Sequence, residues 1–186
     1  SGSRRPAITV SGNFKVSAGL FDAQGTSTVT LDGAAQTVEM STGGDKDFVN
    51  LTINGSGTDT LLTSITVGTL TVTAGTLEIS TFTMTATTAT VNGGTLSMTG
   101  SGGSLKIGTS LSMSSGSIGI SDVGTAPVLT TSGTEGSSFF SVSFTGGTLN
   151  VAEINGFDPS LGDNFTVMPY GSRSGDFATK YGLSLG

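Results

Sequence analysis

The sequence predicts an all-β chain wound into a parallel β-solenoid, and three observations carry that expectation. Thr73-Ala74-Gly75-Thr76-Leu77-Glu78-Ile79 returns as Asn92-Gly93-Gly94-Thr95-Leu96-Ser97-Met98, as Ser114-Ser115-Gly116-Ser117-Ile118-Gly119-Ile120 and as Thr145-Gly146-Gly147-Thr148-Leu149-Asn150-Val151. The glycines at 75, 94, 116 and 147 are therefore 19, 22 and 31 residues apart. Between these copies, apolar residues occupy alternate positions in runs of about three to five residues, separated by Gly, Ser, Thr or Asn. The composition then shifts: six of the ten Phe and both Tyr fall after residue 138, at the end of the chain.

In chain order, Ile8-Thr9-Val10 opens the first strand and Asn13 to Val16 alternates polar and apolar. Thr26 to Leu31 ends on the turn dipeptide Asp32-Gly33. Gln36 to Met40 is a further alternating run, and Ser41 to Asp47 reads as a polar loop. Val49, Leu51 and Ile53 share one strand face. The strands that follow are Ile65–Val67, Leu70–Val72, Leu77–Ile79, Phe82–Met84, Ala89–Val91, Leu96–Met98, Leu105–Ile107, Leu111–Met113 and Ile118–Ile120. Thr and Val favour strands over helices, and nothing before residue 150 has helical periodicity.

Short strands around a 19–22 residue period fit a coil with about three strands and a bend between each. Residues one period apart then stack, each coil rising about 4.8 Å. Leu77, Leu96 and Ile118 form one expected internal ladder; Ile79, Met98 and Ile120 form another. Gly75, Gly94, Gly116 and Gly147 mark a corner. The 31-residue gap holds about ten additional residues, which Asp122 to Glu135 supplies as a protruding loop or an irregular coil. Residues 1–7 read as a flexible remnant, 8–155 as the solenoid and 156–186 as an aromatic-rich cap or continuation. Seven to nine coils are expected, roughly 35–45 Å in length. A solenoid end exposes strand edges and a section of core, so a cluster of bulky residues there reads as a cap.

Composition narrows the chemistry. The chain has no His, Cys or Trp, and its net charge is −6 with basic residues scattered apart from Arg4-Arg5. Imidazole acid–base work, thiol nucleophiles and thiolate metal sites are excluded. A nucleic-acid partner, which needs clustered positive charge, is not expected. No apolar run is long enough to span a membrane as a helix. No leader is legible, and Ser1-Gly2-Ser3 reads as an appended remnant.

The run Phe48 to Thr58, followed by the Gly-Thr-Leu repeats, resembles the repeats of large exported bacterial β-solenoid proteins, the autotransporter passengers and filamentous-haemagglutinin-type adhesins. The tail Gly156-Phe157-Asp158-Pro159, Gly162 to Val167 and Tyr170 to Phe177 resembles segments that follow such repeats. The resemblance implies a right-handed parallel β-helix and an extracellular or bacterial cell-surface setting, and carries over no catalytic residue. The absence of Cys suits export.

The expected function is structural or adhesive, with no enzymatic activity and no cofactor. The chain presents a loop or an end face to a glycan or protein partner, as a monomer or a homotrimer; a trimeric fibre-tip module is an alternative. Asp122, Glu135, Tyr170 and Arg173 are the candidate contact residues, because they lie where the repeat breaks. A polysaccharide-processing β-helix enzyme would need several carboxylates on neighbouring coils, yet Glu78 is the only one between Thr60 and Ser121 and reads as a solvated outward position. Asp45, Asp47 and Asp59 read as solvated loop residues rather than a Ca²⁺ site. The Thr-x-Thr runs do not extend to an ice-binding array of Thr pairs at a fixed period: adding 19 to Thr69 and Thr71 gives Thr88 and Thr90, but a second step gives Ile107 and Thr109, which breaks the array.

Overall fold

The computed structural model describes residues 7–18, 21, 25–40, 48–99, 103–120, 128–131, 141–144, 148–150, 172–176 and 178–181. These contain fifteen β-strands, every pairing between them is parallel, and no helix occurs among the described residues. The strands stack as a β-solenoid whose coil has three faces.

The first face is made of Ile65–Val67, Thr83–Ala86, Ser104–Ile107 and Val128–Thr131. The second runs through the whole chain. Ala7, Thr28, Asn50, Thr69, Thr88, Ser110, Ser141 and Ser172 are successive rungs of one ladder on it. The third face carries Phe14–Val16, Gln36–Met40, Thr58–Leu61, Thr76–Glu78, Thr95–Met98, Ser117–Ile120, Thr148–Asn150 and Thr179–Tyr181. Five turns, from Ala7 to Ser110, lie almost wholly within the described residues, against the seven to nine expected for the chain; the ladder continues at Ser141 and Ser172.

The expected short strands are fused in the middle of the solenoid. Thr83–Met98 and Ser104–Ile120 each run round all three faces as one strand. Their Gly, Ser and Thr separators bend the chain without leaving the ladder, because small residues allow neighbouring backbones to close up.

The core is a set of inward columns. Leu77, Leu96 and Ile118 stack in register, as the repeat predicts, and all three are buried. Leu31, Ile53, Val72, Val91 and Met113 form another such column, and Ile65, Met84 and Leu105 a third. Each buried Leu or Ile contributes about 1.5–3 kcal/mol by leaving water. The corner glycines are also where expected: Gly75 and Gly116 have φ of 66° and 85°, and a Cβ on Gly116 would lie 2.1 Å from the Gly94 carbonyl oxygen.

The N-terminal end differs from the expectation. At the N-terminal end Phe14, Phe21 and Phe48 pack ring against ring, with centroids 5.2–5.9 Å apart and Phe48 fully buried. An aromatic plug therefore closes the end at which the sequence shows no clustering. The aromatic cap over residues 156–186 lies largely outside the described residues. Within them, the column of Leu77, Leu96 and Ile118 passes through Leu149 to Lys180, which is exposed and paired with Asp176 at 2.6 Å. The segment Asp122–Glu135 is not only a loop, since Val128–Thr131 pairs in register with Ser104–Ile107 and continues the first face.

Candidate functional site

Alternation on the second face sends Val29, Leu51, Leu70, Ala89 and Leu111 inward and leaves the residues on either side of them facing out. Two outward columns result among the described side chains: one runs from Ala7 to Ser110 on the ladder given above, the other through Thr9, Thr30, Thr52, Thr71, Thr90 and Ser112, and the backbone register continues both lines at Ser141 and Ser172 and at Ser143 and Ser174. Fourteen of these sixteen register positions are Ser or Thr, the others are Ala7 and Asn50, and none is charged, so the face has no electrostatic character of its own. From Thr28 to Ser112 the outward side chains are half-buried against their neighbours. Some are tied between coils: Thr88 Oγ1 donates to Thr69 Oγ1 at 3.3 Å, and Asn50 Nδ2 donates to the Ser27 carbonyl at 2.9 Å.

The array that sequence arithmetic broke at Ile107 and Thr109 is thus continuous. The step from Thr88 is 22 residues, to Ser110 and Ser112. Two of the three additional residues fall between Met98 and Ser104 and one at the bulge between Ile107 and Ser110. A fixed period cannot see this. The signal that could have found it is the motif itself, hydroxyl–apolar–hydroxyl, as in Thr28-Val29-Thr30, Thr69-Leu70-Thr71, Thr88-Ala89-Thr90, Ser110-Leu111-Ser112 and Ser141-Val142-Ser143.

The third face is different. Lys15 and Glu39 pair across one coil step at 2.7 Å. Glu78, read from sequence as solvated, is a half-buried fastener. Its Oε2 accepts from Ser97 Oγ at 2.6 Å, and its Oε1 accepts from the backbone N–H of Ser80 at 2.7 Å and of Thr99 at 3.0 Å. Partial burial alone would raise its pKa; the hydrogen bonds from Ser97, Thr99 and Ser80 outweigh burial and hold it below the usual range. Ser80 sits at φ 57°, a left-handed turn for a residue with a side chain.

Asp59 corrects a second reading. It is not a solvated loop residue: it lies between Gln36 and Leu77 on an inward column, 1% exposed, and neither carboxylate oxygen has a hydrogen-bond partner among the described residues. Burial pushes its pKa up; the backbone N–H of Gln36 pulls the other way but makes no hydrogen bond of ordinary geometry. Gln36, by contrast, is well satisfied, with Nε2 donating to the carbonyls of Val10 and Gly12 and Oε1 accepting from the Gly33 N–H.

Of the candidate contact residues, Asp122, Glu135 and Tyr170 lie outside the described residues, as do Asp45 and Asp47. The backbone of Arg173 pairs with Val142. No three His, Cys, Asp or Glu side chains gather in a metal-holding group among the described residues, and no helix there is long and apolar enough to cross a membrane. Compared with protein families, curated proteins and solved structures, the chain matches none.

Proposed function

We propose that this chain is a rigid structural and adhesive segment of an exported bacterial surface protein, and that it meets its partner along the second face. The observation that supports this is the pair of uncharged, hydroxyl-rich columns, whose backbone register runs over eight rungs and about 34 Å at one strand spacing per coil. A parallel solenoid holds such a surface pre-ordered, so little conformational entropy is lost when an extended partner settles on it. The contact surface is then a side of the rod rather than the loop or end face that the sequence suggests.

Retention of the purified chain on extended solid surfaces tests this reading, with insoluble cellulose, chitin and ice as the surfaces. Retention on at least one, weakened by a bulky residue in the middle of the face and insensitive to salt, supports it, since an uncharged contact is not screened. Retention on none overturns it.

A further inference from the structure

The chemistry of the second face narrows the partner further, and the inference rests on the adhesive reading above. We propose that the hydroxyl columns bind the surface of crystalline ice. Three features of the face point to ordered water rather than to a flexible polymer.

The first is a two-dimensional repeat. Neighbouring rungs lie about 4.8 Å apart up the solenoid, and the two columns, two residues apart on each strand, lie about 6.7 Å apart across it. Both spacings are of the size of oxygen repeats on the planes of hexagonal ice. Waters held by the hydroxyls are therefore placed in a lattice that ice can continue, which random Ser and Thr on a surface do not provide.

The second is the absence of charge. None of the sixteen register positions carries one, although the third face of the same coils carries Lys15, Glu39 and Glu78. An ion orders water radially around itself and is rejected by ice, so a lattice-matching face must exclude ions.

The third is side-chain choice and restraint. In the described centre, Thr69, Thr71, Thr88 and Thr90 offer a methyl beside each hydroxyl. β-branching leaves Thr few rotamers, half-burial against the next coil removes more, and the Thr88–Thr69 hydrogen bond fixes one pair. The methyl groups take apolar area out of liquid water when ice docks, while the hydroxyls keep the bridging waters in place.

The test uses the whole chain in buffered water with a single seeded ice crystal. Thermal hysteresis and inhibition of ice recrystallisation are read for the wild type, Thr90→Val, the double variant Thr71→Tyr/Thr90→Tyr, and Thr37→Tyr on the third face as control. Melting curves confirm that each is folded. The expected result is hysteresis in the wild type, reduced about tenfold or more by the Tyr pair, which lifts ice off the face, lowered in part by the isosteric Val, and unchanged in the control. No hysteresis in the wild type, or hysteresis indifferent to residues 71 and 90, overturns the proposal. Retention on cellulose or chitin without hysteresis overturns it while leaving the adhesive reading standing; failure on every surface removes both.

Discussion

The second and third faces are folded from one alternating pattern on the same coils, yet they carry different chemistry. On the third face the chain turns at Gly75 and Gly116, reverses locally at Ser80, and uses carboxylates where the backbone ladder alone leaves donors unpaired. Lys15 with Glu39, and Glu78 with Ser97, Ser80 and Thr99, fasten one coil to the next. On the second face the ladder runs in register through eight rungs, and all but Ala7 and Asn50 of the sixteen positions flanking its inward residues are neutral Ser or Thr. A face whose ties between coils are neutral, as between Thr88 and Thr69 and between Asn50 and the Ser27 carbonyl, is free to present an uncharged surface. That is the physical reason for looking for a partner there.

The sharpest way to test this division is to place the same charge inside the coil from the third face and outside it on the second. Leu96 is fully buried between Leu77 and Ile118. Leu96→Asp should abolish folding, because an unpaired buried carboxylate costs several kcal/mol on top of the lost packing. Thr90→Asp, outward on the second face, should shift stability by no more than about 0.5 kcal/mol. Circular dichroism and thermal melts decide it, and a soluble, cooperatively melting Leu96→Asp protein would break the register.

Glycine substitutions give the next largest contrast. A Cβ at Gly57 would stand 1.1 Å from the Ala34 carbonyl oxygen of the coil below, so Gly57→Ala must force the coils apart and should cost about 3 kcal/mol. Gly12 has nothing within 4 Å of such a Cβ. Gly12→Ala should therefore be close to neutral, and equal denaturation midpoints for the two variants would contradict the close stacking at the corner.

Much of this was legible in the sequence. Leu77, Leu96 and Ile118 stand out because alternation and period agree there, and the recurring glycines mark the corner for the same reason. What was not legible depends on coil lengths that vary. Glu78 finds Ser97 and Thr99 only after a step of 19 residues has been fixed, so no local pattern shows the fastener. Phe14, Phe21 and Phe48 are scattered along the chain and meet only at the end of the solenoid. The hydroxyl columns disappear under a rigid period because three residues are inserted between Thr88 and Ser110. An aspartate beside Gly55, Gly57 and Thr58 looks like a solvated loop residue in the sequence, whereas the register with Gln36 and Leu77 puts Asp59 inside.

Asp59 itself is the third test, since it breaks the rule that the third face uses its carboxylates as fasteners. Replacing it with Leu should raise stability near neutral pH by about 1–3 kcal/mol, by removing a buried polar group that has no partner. Its folded pKa lies above its unfolded value, so the folded state holds the proton more tightly. The contribution is most favourable below the unfolded carboxyl range and is lost as pH rises through the raised folded value. Denaturant titrations at a series of pH values should show that this loss is absent from Asp59→Leu. A variant that keeps the wild-type dependence would mean that Asp59 is not the group responsible.

Glu78 is the smallest and most discriminating case, because the sign reverses on the same face. Its folded pKa is depressed by the donors at Ser97, Thr99 and Ser80, so its contribution is present above the unfolded carboxyl range and is lost as pH falls through the lowered folded value. The carboxylate is only half-buried, and water screens its bonds, which limits the effect of Glu78→Gln to about 1 kcal/mol. Gln keeps one acceptor oxygen and can satisfy some of the three donors, whereas Glu78→Ala satisfies none and should cost more. The order wild type, Gln, Ala should therefore hold at neutral pH; in acid, where the wild-type carboxylate is protonated, wild type should fall toward Gln, while the gap between Gln and Ala, neither of which titrates, stays. If Glu78 were a solvated surface residue instead, the three proteins would melt together at every pH. A pH-dependent spacing between their melts, opposite in direction to that of Asp59, distinguishes a fastener from a bystander.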